Sequence, residues 1–421
     1  MIMPRILMLM GSGETSPTMV KSHREIFAAL PKGAKAVLLD TAFGFQGNAD
    51  DISQKAIDYF KTSIGVDVGL ASMRDASTAS SLQLETFSNQ LRDADYVFAG
   101  PGSPTYALRQ WSGLPLASIL SEKLTSGGVV AFSSAAVLTL GRHTIPVYEI
   151  YKVGEPVQLR DGLDVLSAIG INAMVIPHFN NAEGQNHDTR FCYMGQERLD
   201  VLMSQLGEGC AVIGIDEHTG IIIDLDAGTV RFVGLGTVTL LQGSGRALFE
   251  AGEQLTFEEF RSALSTVGDK PATAAPEVKA PQEVPLEDQA VSPLLASIES
   301  HLANFDRALQ SQDSHSALET ILDLEEELAA WSADTLQSDE MEKGRAALRS
   351  MVSRLEPLVR EGLVPHQERI GPFVEAIMGL RASARAERRW SDADAIRDRL
   401  DKLGIVVQDT PEGAVWHLAE A

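Results

Sequence analysis

Short, unbroken apolar runs recur through the first half of the chain, separated by longer amphipathic stretches. An uninterrupted run is typical of a strand covered on both faces, because a strand with one solvated face alternates apolar and polar residues. A parallel sheet with crossover helices on both sides meets this requirement. The sequence therefore predicts an α/β domain with a doubly wound, mostly parallel sheet and flanking helices. The runs are residues 5–10, 36–40, 66–71, 96–99, 129–132 and 173–176.

Three later apolar runs, residues 211–215, 220–224 and 229–233, are separated by Asp-Glu-His-Thr and Asp-Ala-Gly segments. Such short polar connections are typical of antiparallel hairpins. We expect these strands at the end of the sheet.

The composition changes after about residue 267. Residues 268–293 are rich in proline, alanine and glutamate and lack large apolar side chains, which predicts a linker. Beyond it, Leu295, Ile298, Leu302 and Phe305 recur at helical spacing. The predicted organisation is an α/β domain at 1–267, a linker at 268–293 and a mostly helical domain at 294–421.

The formal net charge of the 421-residue chain is -23, which disfavours a general binder of nucleic acid or of an anionic membrane. The apolar opening, residues 1–10, is too short to span a membrane. The two cysteines, Cys192 and Cys210, form no disulfide framework or zinc knuckle. These features predict a cytoplasmic protein without a membrane partner.

A candidate nucleophile follows the apolar run at 129–132. Residues 133–136 read Ser-Ser-Ala-Ala and lead into a helix. A nucleophile elbow needs small residues two positions before and after the nucleophile, and Ala131 and Ala135 meet this need around Ser133. The alternative interpretation is a serine that only caps the helix.

Four segments in order resemble the cyanophycinase and aspartyl dipeptidase (dipeptidase E) family of serine peptidases. The serine segment resembles the family's G-T-S-A-G-A elbow. The resemblance implies a class I glutamine amidotransferase-like fold. The other segments are F-A-G-P-G-S-P-T-Y-A-L at 98–108, P-H-F at 177–179 with the arginine-bearing stretch after it, and G-I-D-E-H-T-G at 214–220.

The resemblance implies a serine-nucleophile mechanism, in which an acid orients a base that deprotonates a hydroxyl. Ser133 would attack a carbonyl group, His178 would transfer the proton and Glu217 would orient the imidazole. Glu149 is the rival third member, since the dipeptidase branch takes its acid from that region.

The resemblance also implies that backbone N–H groups of Gly102 and Ser134 face the oxyanion, and that Arg190 binds an acidic side chain or a free carboxylate. A surface arginine is the alternative for Arg190. Two departures stand out: Ala135 replaces the elbow glycine, which raises the expectation of reduced or absent activity, and the connection 180–188 is longer than usual.

No metal or cofactor is expected. His187, Asp188 and His218 lack metal-ligand spacing. The segment Gly-Ser-Gly-Glu at 11–14 lacks a complete phosphate-binding motif, and we interpret it as a tight turn beside the active site.

Residues 373–418 resemble the C-terminal segment of bacterial cysteinyl-tRNA synthetase. The catalytic signatures of that enzyme are absent, which excludes aminoacylation. Arg381, Arg385, Arg388 and Arg389 fall on roughly one helical face, where they could meet the phosphates of a tRNA. Surrounding acidic residues favour instead a protein partner or packing against the α/β domain.

The sequence therefore predicts a serine hydrolase, a peptidase that cleaves small or acidic peptides and carries a helical accessory module. The first alternative is a non-catalytic protein that binds a peptide or an amino acid through a degenerate elbow. The second is an RNA-associated protein. Homo-oligomerisation is left open.

Overall fold

The structure, a computed structural model, describes residues 3–184, 187–207, 209–266, 292–311, 313–332, 340–355, 366–410 and 413–419. The predicted linker at 268–293 lies almost entirely outside the described residues. The chain divides into two compact units: Met1–Ala296 with Glu326–Met341, and Ser297–Glu325 with Glu342–Ala421. The predicted boundaries at 267 and 294 remain predictions.

The α/β class is confirmed. Among the described residues, an eight-stranded sheet has the order β14-β11-β10-β1-β5-β4-β2-β3. Strands β1, β5, β4, β2 and β3 run parallel, and β10, β11 and β14 extend the sheet in antiparallel fashion. The strands of this sheet are β1 (Arg5–Met10), β2 (Ala36–Leu39), β3 (Val68–Ala71), β4 (Tyr96–Ala99), β5 (Gly128–Ser133), β10 (Thr219–Asp224), β11 (Thr229–Gly234) and β14 (Gln254–Thr256).

One expectation about the sheet is wrong. Residues 211–215 do not join the hairpin of β10 and β11 but lie in a second, four-stranded sheet, where they pair in parallel with 173–176. The apolar pattern identifies both strands, but their pairing is a long-range choice that local spacing does not encode. The second sheet contains β8 (Ala173–Ile176), β9 (Ala211–Ile215), β12 (Thr237–Gln242) and β13 (Gly245–Glu250), and a small ladder joins β6 (His143–Thr144) to β7 (Arg160–Asp161).

Helices cover both faces of the main sheet, and the strands show why continuous apolar runs are needed. Leu7 and Leu9 of β1 face one buried cluster, while Met8 and Met10 face the other. Because successive side chains of a strand point to opposite faces, both sets must be apolar. The helices of this region are α1 (Val20–Ala29), α2 (Ala49–Tyr59), α3 (Ser81–Asp93), α4 (Pro104–Trp111), α5 (Leu116–Ser126), α6 (Ser134–Val137), α7 (Gly195–Gln205) and α8 (Phe257–Thr266). Short 3-10 turns lie at Pro17–Met19, Thr41–Phe43 and Leu166–Ile169, and π turns at Phe60–Ile64 and Glu149–Val153.

The sheet order brings three loops together. Strand β5 lies between β1 and β4, so the carboxyl ends of all three meet at one edge. Ligands of open α/β sheets bind outside the carboxyl ends of such strands. After β4 the chain turns into α4, whose first turn is capped by Ser103, with Pro104 at the first helical position. This edge is therefore where the candidate site is built.

The mostly helical character of the C-terminal region is confirmed. Helices α9 (Pro293–Gln310), α10 (Ser314–Trp331), α11 (Glu340–Arg354), α12 (His366–Ala386) and α13 (Trp390–Asp401) precede the hairpin of β15 (Ile405–Thr410) and β16 (Gly413–Leu418). Val374, Met378, Leu400 and Ile405 form a small core between the last two helices and the hairpin.

Arg381 ties this module together. Its guanidinium group donates two hydrogen bonds of 2.8 Å to the carboxylate of Asp409 on β15, and its side chain is only 3% exposed. Arg385 donates to the same carboxylate. These two arginines of the predicted basic face are therefore engaged within the module. No helix in the described part of the chain has the length and apolar character needed to cross a membrane.

Candidate active site

Ser133, the predicted nucleophile, is the last residue of β5 and is fully buried. Its Oγ donates a hydrogen bond of 2.8 Å to Oε2 of Glu14, which lies in the loop after β1. Ser133 follows Val129 and Ala131 on the same face of the strand, because side chains alternate with a period of two. The structure therefore directs Ser133 toward Glu14 and not toward His178.

Ser134 occupies the position that was predicted for Ser133. Its backbone has a φ of +48°, in the left-handed region that non-glycine residues seldom adopt. This conformation turns the side chain out of the strand, and its Oγ lies 3.0 Å from Nε2 of His178. A strained residue between a strand and a helix is the geometry of a nucleophile elbow. The contact with His178 that was predicted for Ser133 is therefore made by Ser134, and the identity of the nucleophile stays a prediction.

His178 and Glu217 lie together, as the sequence predicted. Nδ1 of His178 lies 2.9 Å from Oε1 of Glu217, so a proton on Nδ1 is donated to that carboxylate. Two loop residues hold Glu217 in turn: Asn181 donates to Oε1 of the carboxylate over 3.1 Å, and the backbone N–H of Glu217 donates to Oδ1 of Asn180 over 2.8 Å. The imidazole is therefore fixed with Nε2 directed at Ser134.

The charges around His178 favour its protonated form. Burial alone lowers the pKa of His178, but the hydrogen bond and charge of Glu217, with the charges of Glu14 and Glu183, raise the pKa above its ordinary value. Burial likewise works to raise the pKa of Glu217, but the hydrogen bond and charge of His178 and the bond from Asn181 lower it overall. Glu217 therefore remains an anion that stabilises an imidazolium at position 178.

The glycine-containing loop after β4 lies beside Ser134. Gly102 has a φ of +129°, and a Cβ there would lie 2.1 Å from the carbonyl oxygen of Ala42, so only glycine fits. The next residue, Ser103, donates its backbone N–H to that same carbonyl over 2.8 Å. The backbone N–H of Ala136 donates to the carbonyl of Gly100 over 3.1 Å. These bonds hold the loop after β4 against the elbow.

Because Ser134 is the serine that contacts His178, two expectations about the neighbouring residues change. The N–H group that follows the candidate nucleophile belongs to Ala135 rather than to Ser134, and both Ala135 and Gly102 line the pocket. The residue two positions before Ser134 is Phe132, whose buried ring lies 6.3 Å from that of Trp111 in the core. The residue two positions after it is Ala136, so a methyl group still occupies the place of the elbow glycine.

Arg190, for which the resemblance implied binding of an acidic side chain or a free carboxylate, is not among the residues that line the pocket at Ser134. Its guanidinium group donates to both carboxylate oxygens of Asp188, over 2.8 Å and 2.7 Å, and its side chain is half exposed. This arginine holds the pKa of Asp188 at about 2. The ion pair commits Arg190 to the loop before it, so the surface alternative fits the geometry.

The segment after Arg190 is a left-handed turn. Phe191, Cys192 and Tyr193 all have φ between +56° and +66°. The N–H of Phe191 donates to the carbonyl of Phe179, and the N–H of Cys192 donates to the carbonyl of His178. This turn therefore fixes the backbone that carries His178, and it places Cys192 and Tyr193 in the pocket wall.

The pocket at the elbow has a volume of about 340 Å³. Its lining carries charges of both signs: Glu14 and Glu183 are acidic, and Lys55 is basic. Cys192 also faces the pocket, but burial raises the pKa of its thiol to about 12, so the thiol stays protonated and unreactive. Ser134 is the hydroxyl in this lining that the imidazole contacts.

Glu149, the rival acid, lies away from the imidazole and lines a neighbouring cavity. His218, one of the residues weighed for metal binding, is buried against Ser16 and Thr18, and burial lowers its pKa to about 4. In the part of the chain that the structure describes, no group of three or more histidine, cysteine, aspartate or glutamate side chains could hold a metal ion.

Three residues of the site, Glu14, Asn181 and Tyr193, were not predicted from the sequence. Glu14 ends the Gly-Ser-Gly-Glu segment, which was expected beside the active site without a role for its carboxylate. Tyr193 donates its hydroxyl to Glu183 over 2.8 Å, and this contact depends on the left-handed turn. The glycines at 11 and 13 predict the turn after β1. The left-handed turn at 191–193 contains no glycine, so the sequence gives no sign of its positive φ angles.

Comparison with known proteins identifies the C-terminal module. Residues 369–416 match the cysteinyl-tRNA ligase anticodon binding domain. A cysteine–tRNA ligase of Symbiobacterium thermophilum is 31% identical over 183 residues, which are 43% of this chain and 37% of that protein. One from an Arthrobacter species is 53% identical over 49 residues, which are 12% of this chain and 10% of that protein. The chain thus spans between about a tenth and about a third of these relatives, and the predicted resemblance of the module is confirmed.

Solved structures similar to the larger part of the chain are peptidases. A peptidase from an acI-B1 Actinobacterium is 22% identical, with a TM-score of 0.48 over 61% of this chain and 98% of that one. A putative peptidase E protein from Listeria monocytogenes is 13% identical, with a TM-score of 0.36 over 59% of this chain and 100% of that one.

Replacing Glu217 by glutamine tests the electrostatic coupling without any assay of activity. The loss of the negative charge removes the strongest influence that raises the pKa of His178, so this pKa is expected to fall. NMR titration of a histidine-labelled chain, with the His178 signal identified from a His178→Asn variant, measures the change. Glu258→Gln is the control, because Glu258 is an exposed surface residue whose side chain pairs with Arg261. An unchanged His178 titration in Glu217→Gln would contradict the described contact.

Proposed function

We propose that the α/β unit is a serine hydrolase that cleaves peptide bonds of small peptides, with Ser134 as the nucleophile. The proposal rests on one observation: a hydroxyl, an imidazole and a carboxylate lie in series, with contacts of 3.0 Å and 2.9 Å. A hydroxyl is a weak nucleophile until an adjacent base removes its proton, and this series supplies such a base and its orienting acid.

The reaction begins when Nε2 of His178 takes the proton of Ser134 as Oγ attacks the substrate carbonyl carbon. The resulting imidazolium is stabilised by Glu217, whose lowered pKa keeps it charged. The N–H groups of Gly102 and Ala135, which line the same pocket, would donate to the oxyanion of the tetrahedral intermediate. His178 then returns the proton to the leaving amine, and a water molecule hydrolyses the acyl-enzyme by the same route.

The pocket lining supports a small, polar substrate. A volume of about 340 Å³ is at the lower end of the range for small-molecule sites. Lys55 supplies a positive charge that suits a carboxylate of an acidic peptide, whereas Glu14 and Glu183 suit an amino group. Since Arg190 is bound to Asp188, Lys55 replaces it as the candidate partner of a substrate carboxylate. The non-catalytic binding protein remains the alternative, because Ala136 stands at the elbow glycine.

Hydrolysis of a dipeptide and tripeptide library by the full chain, followed by mass detection of the products, tests this function. For the best substrate, Ser134→Ala and His178→Ala are expected to lower kcat/KM by about 10³-fold or more, because each removes a member of the proton relay. Ser133→Ala is the matched control and loses only one hydrogen bond to Glu14, so its loss should stay below about 10-fold.

Two results would contradict the hydrolase proposal. One is a folded chain that cleaves no peptide in the library. The other is a loss of activity in Ser133→Ala that equals the loss in Ser134→Ala. Tight peptide binding without cleavage would favour the non-catalytic alternative.

We also propose that the C-terminal module binds tRNA. The match of residues 369–416 to an anticodon binding domain favours this second function. Trp390 begins α13 with its side chain more than half exposed, and the guanidinium of Arg385 lies 5.9 Å from its ring centroid. Exposed aromatic rings with neighbouring arginines suit unstacked RNA bases and phosphates. Arg388, in the loop between α12 and α13, is exposed beside them.

Fluorescence anisotropy with a labelled tRNA, measured over a range of salt concentrations, tests this second function. If Arg388 contacts a phosphate, Arg388→Glu should weaken binding several-fold and reduce the magnitude of the salt slope by about 1. Lys21→Glu carries the same charge change on an exposed lysine of the α/β unit and should leave binding unchanged. Equal effects of the two variants, or no binding of tRNA at low salt, would refute the assignment.

A further inference from the structure

A second cavity, of about 680 Å³, lies beside the pocket that contains Ser134. Gln46 and Tyr148 line both spaces, so the cavity adjoins the candidate active site. It is twice as large as the pocket at the elbow. A substrate that reaches Ser134 therefore has adjoining space into which a neighbouring residue can extend.

Aromatic side chains form much of this cavity. Phe45 and Tyr106 pack against each other with ring centroids 4.9 Å apart. Phe45 is 52% exposed and Tyr148 is 42% exposed, although each is a large apolar or amphipathic ring. Exposed rings around a concave space are characteristic of binding sites, because a ligand that packs against these rings removes their surface from water.

The charges in the cavity disfavour a charged occupant. Arg109 and Arg160 line it together with Glu149 and Asp161. The guanidinium of Arg109 already lies over the ring of Tyr106, 4.9 Å from its centroid, and Arg160 pairs with Glu155. A charged side chain of either sign would meet two groups of like charge and two of opposite charge, so it gains no clear net attraction, and it would lose the hydration of its own charge. A neutral side chain bears no such loss.

We propose that this cavity is a subsite for an aromatic residue of the substrate, next to the residue that occupies the pocket at Ser134. The inference rests on the proposed function for the identity of the ligand as a peptide. Phe45, Tyr106 and Tyr148 cover the ring of that residue. The chain therefore selects small peptides that carry an aromatic side chain beside the scissile bond.

Calorimetric titration of the full chain carrying Ser134→Ala tests the subsite without requiring catalysis. The ligands are the tripeptides Ala-Phe-Ala, Ala-Gly-Ala, Ala-Arg-Ala and Ala-Glu-Ala. Burial of a phenyl ring predicts that Ala-Phe-Ala binds about 10-fold more tightly than Ala-Gly-Ala. The arginine and glutamate peptides are expected to gain less than about 3-fold over glycine, because both signs of charge line the cavity.

Phe45→Ala, added to the Ser134→Ala chain, should reduce the phenylalanine preference to below about 3-fold. Leu82→Ala is the control, since Leu82 is 76% exposed on α3 and does not line either space. Equal binding of the phenylalanine and glycine peptides, including no detectable binding of either, overturns the subsite. So does a phenylalanine preference that survives Phe45→Ala.

The outcomes separate the subsite from the hydrolase proposal. If Ala-Phe-Ala binds in a Phe45-dependent way but the unsubstituted chain cleaves no peptide, the subsite stands and the chemistry fails. If the unsubstituted chain cleaves peptides without a preference for an aromatic residue, the chemistry stands and the subsite fails.

Discussion

The left-handed backbone of Ser134, at the end of β5, is the constraint on which the candidate site depends. A strand residue in ordinary conformation presents its side chain to one of the two buried faces of the sheet, as Ser133 does toward Glu14. A φ of +48° at Ser134 instead turns the hydroxyl out of the sheet and toward His178. Such strain costs on the order of 1–3 kcal/mol and persists only where surrounding contacts hold it. Here the pairing of β5 with β1 and β4 on one side and the bond of Ala136 to Gly100 on the other provide those contacts.

Two carboxylates, Glu217 and the buried Glu14, serve this arrangement in different ways. Glu217 contacts the imidazole directly and, with Asn181, fixes its orientation. Glu14 lies beneath the elbow, anchors the residue before the candidate nucleophile and adds its negative charge to the field that raises the pKa of His178. The loop after β1, the end of β5 and the connection after β8 therefore contribute to one electrostatic unit, which explains why the order of strands in the sheet matters for the site.

The sequence predicts the sheet well because continuous apolar runs have one common cause, burial on both faces, and β1 and β5 show it directly. It locates His178 and Glu217 because each follows a strand whose motif resembles a known family. It favours Ser133, since Ala131 and Ala135 satisfy a spacing rule that ignores φ, whereas Ser134 is the serine that contacts His178. It misassigns residues 211–215 to a hairpin and does not foresee the ion pair of Arg190 with Asp188, because strand pairing and this ion pair are tertiary outcomes.

We propose that Ser134, and not Ser133, carries the reactive hydroxyl. The most direct measurement is treatment of the unsubstituted full chain with a fluorophosphonate probe, followed by digestion and tandem mass spectrometry of the peptide that contains both serines. We expect a single adduct on Ser134, formed faster as His178 loses its proton with rising pH, because only the neutral imidazole can accept the hydroxyl proton. An adduct on Ser133, or a folded chain that forms no adduct on either serine, would contradict it.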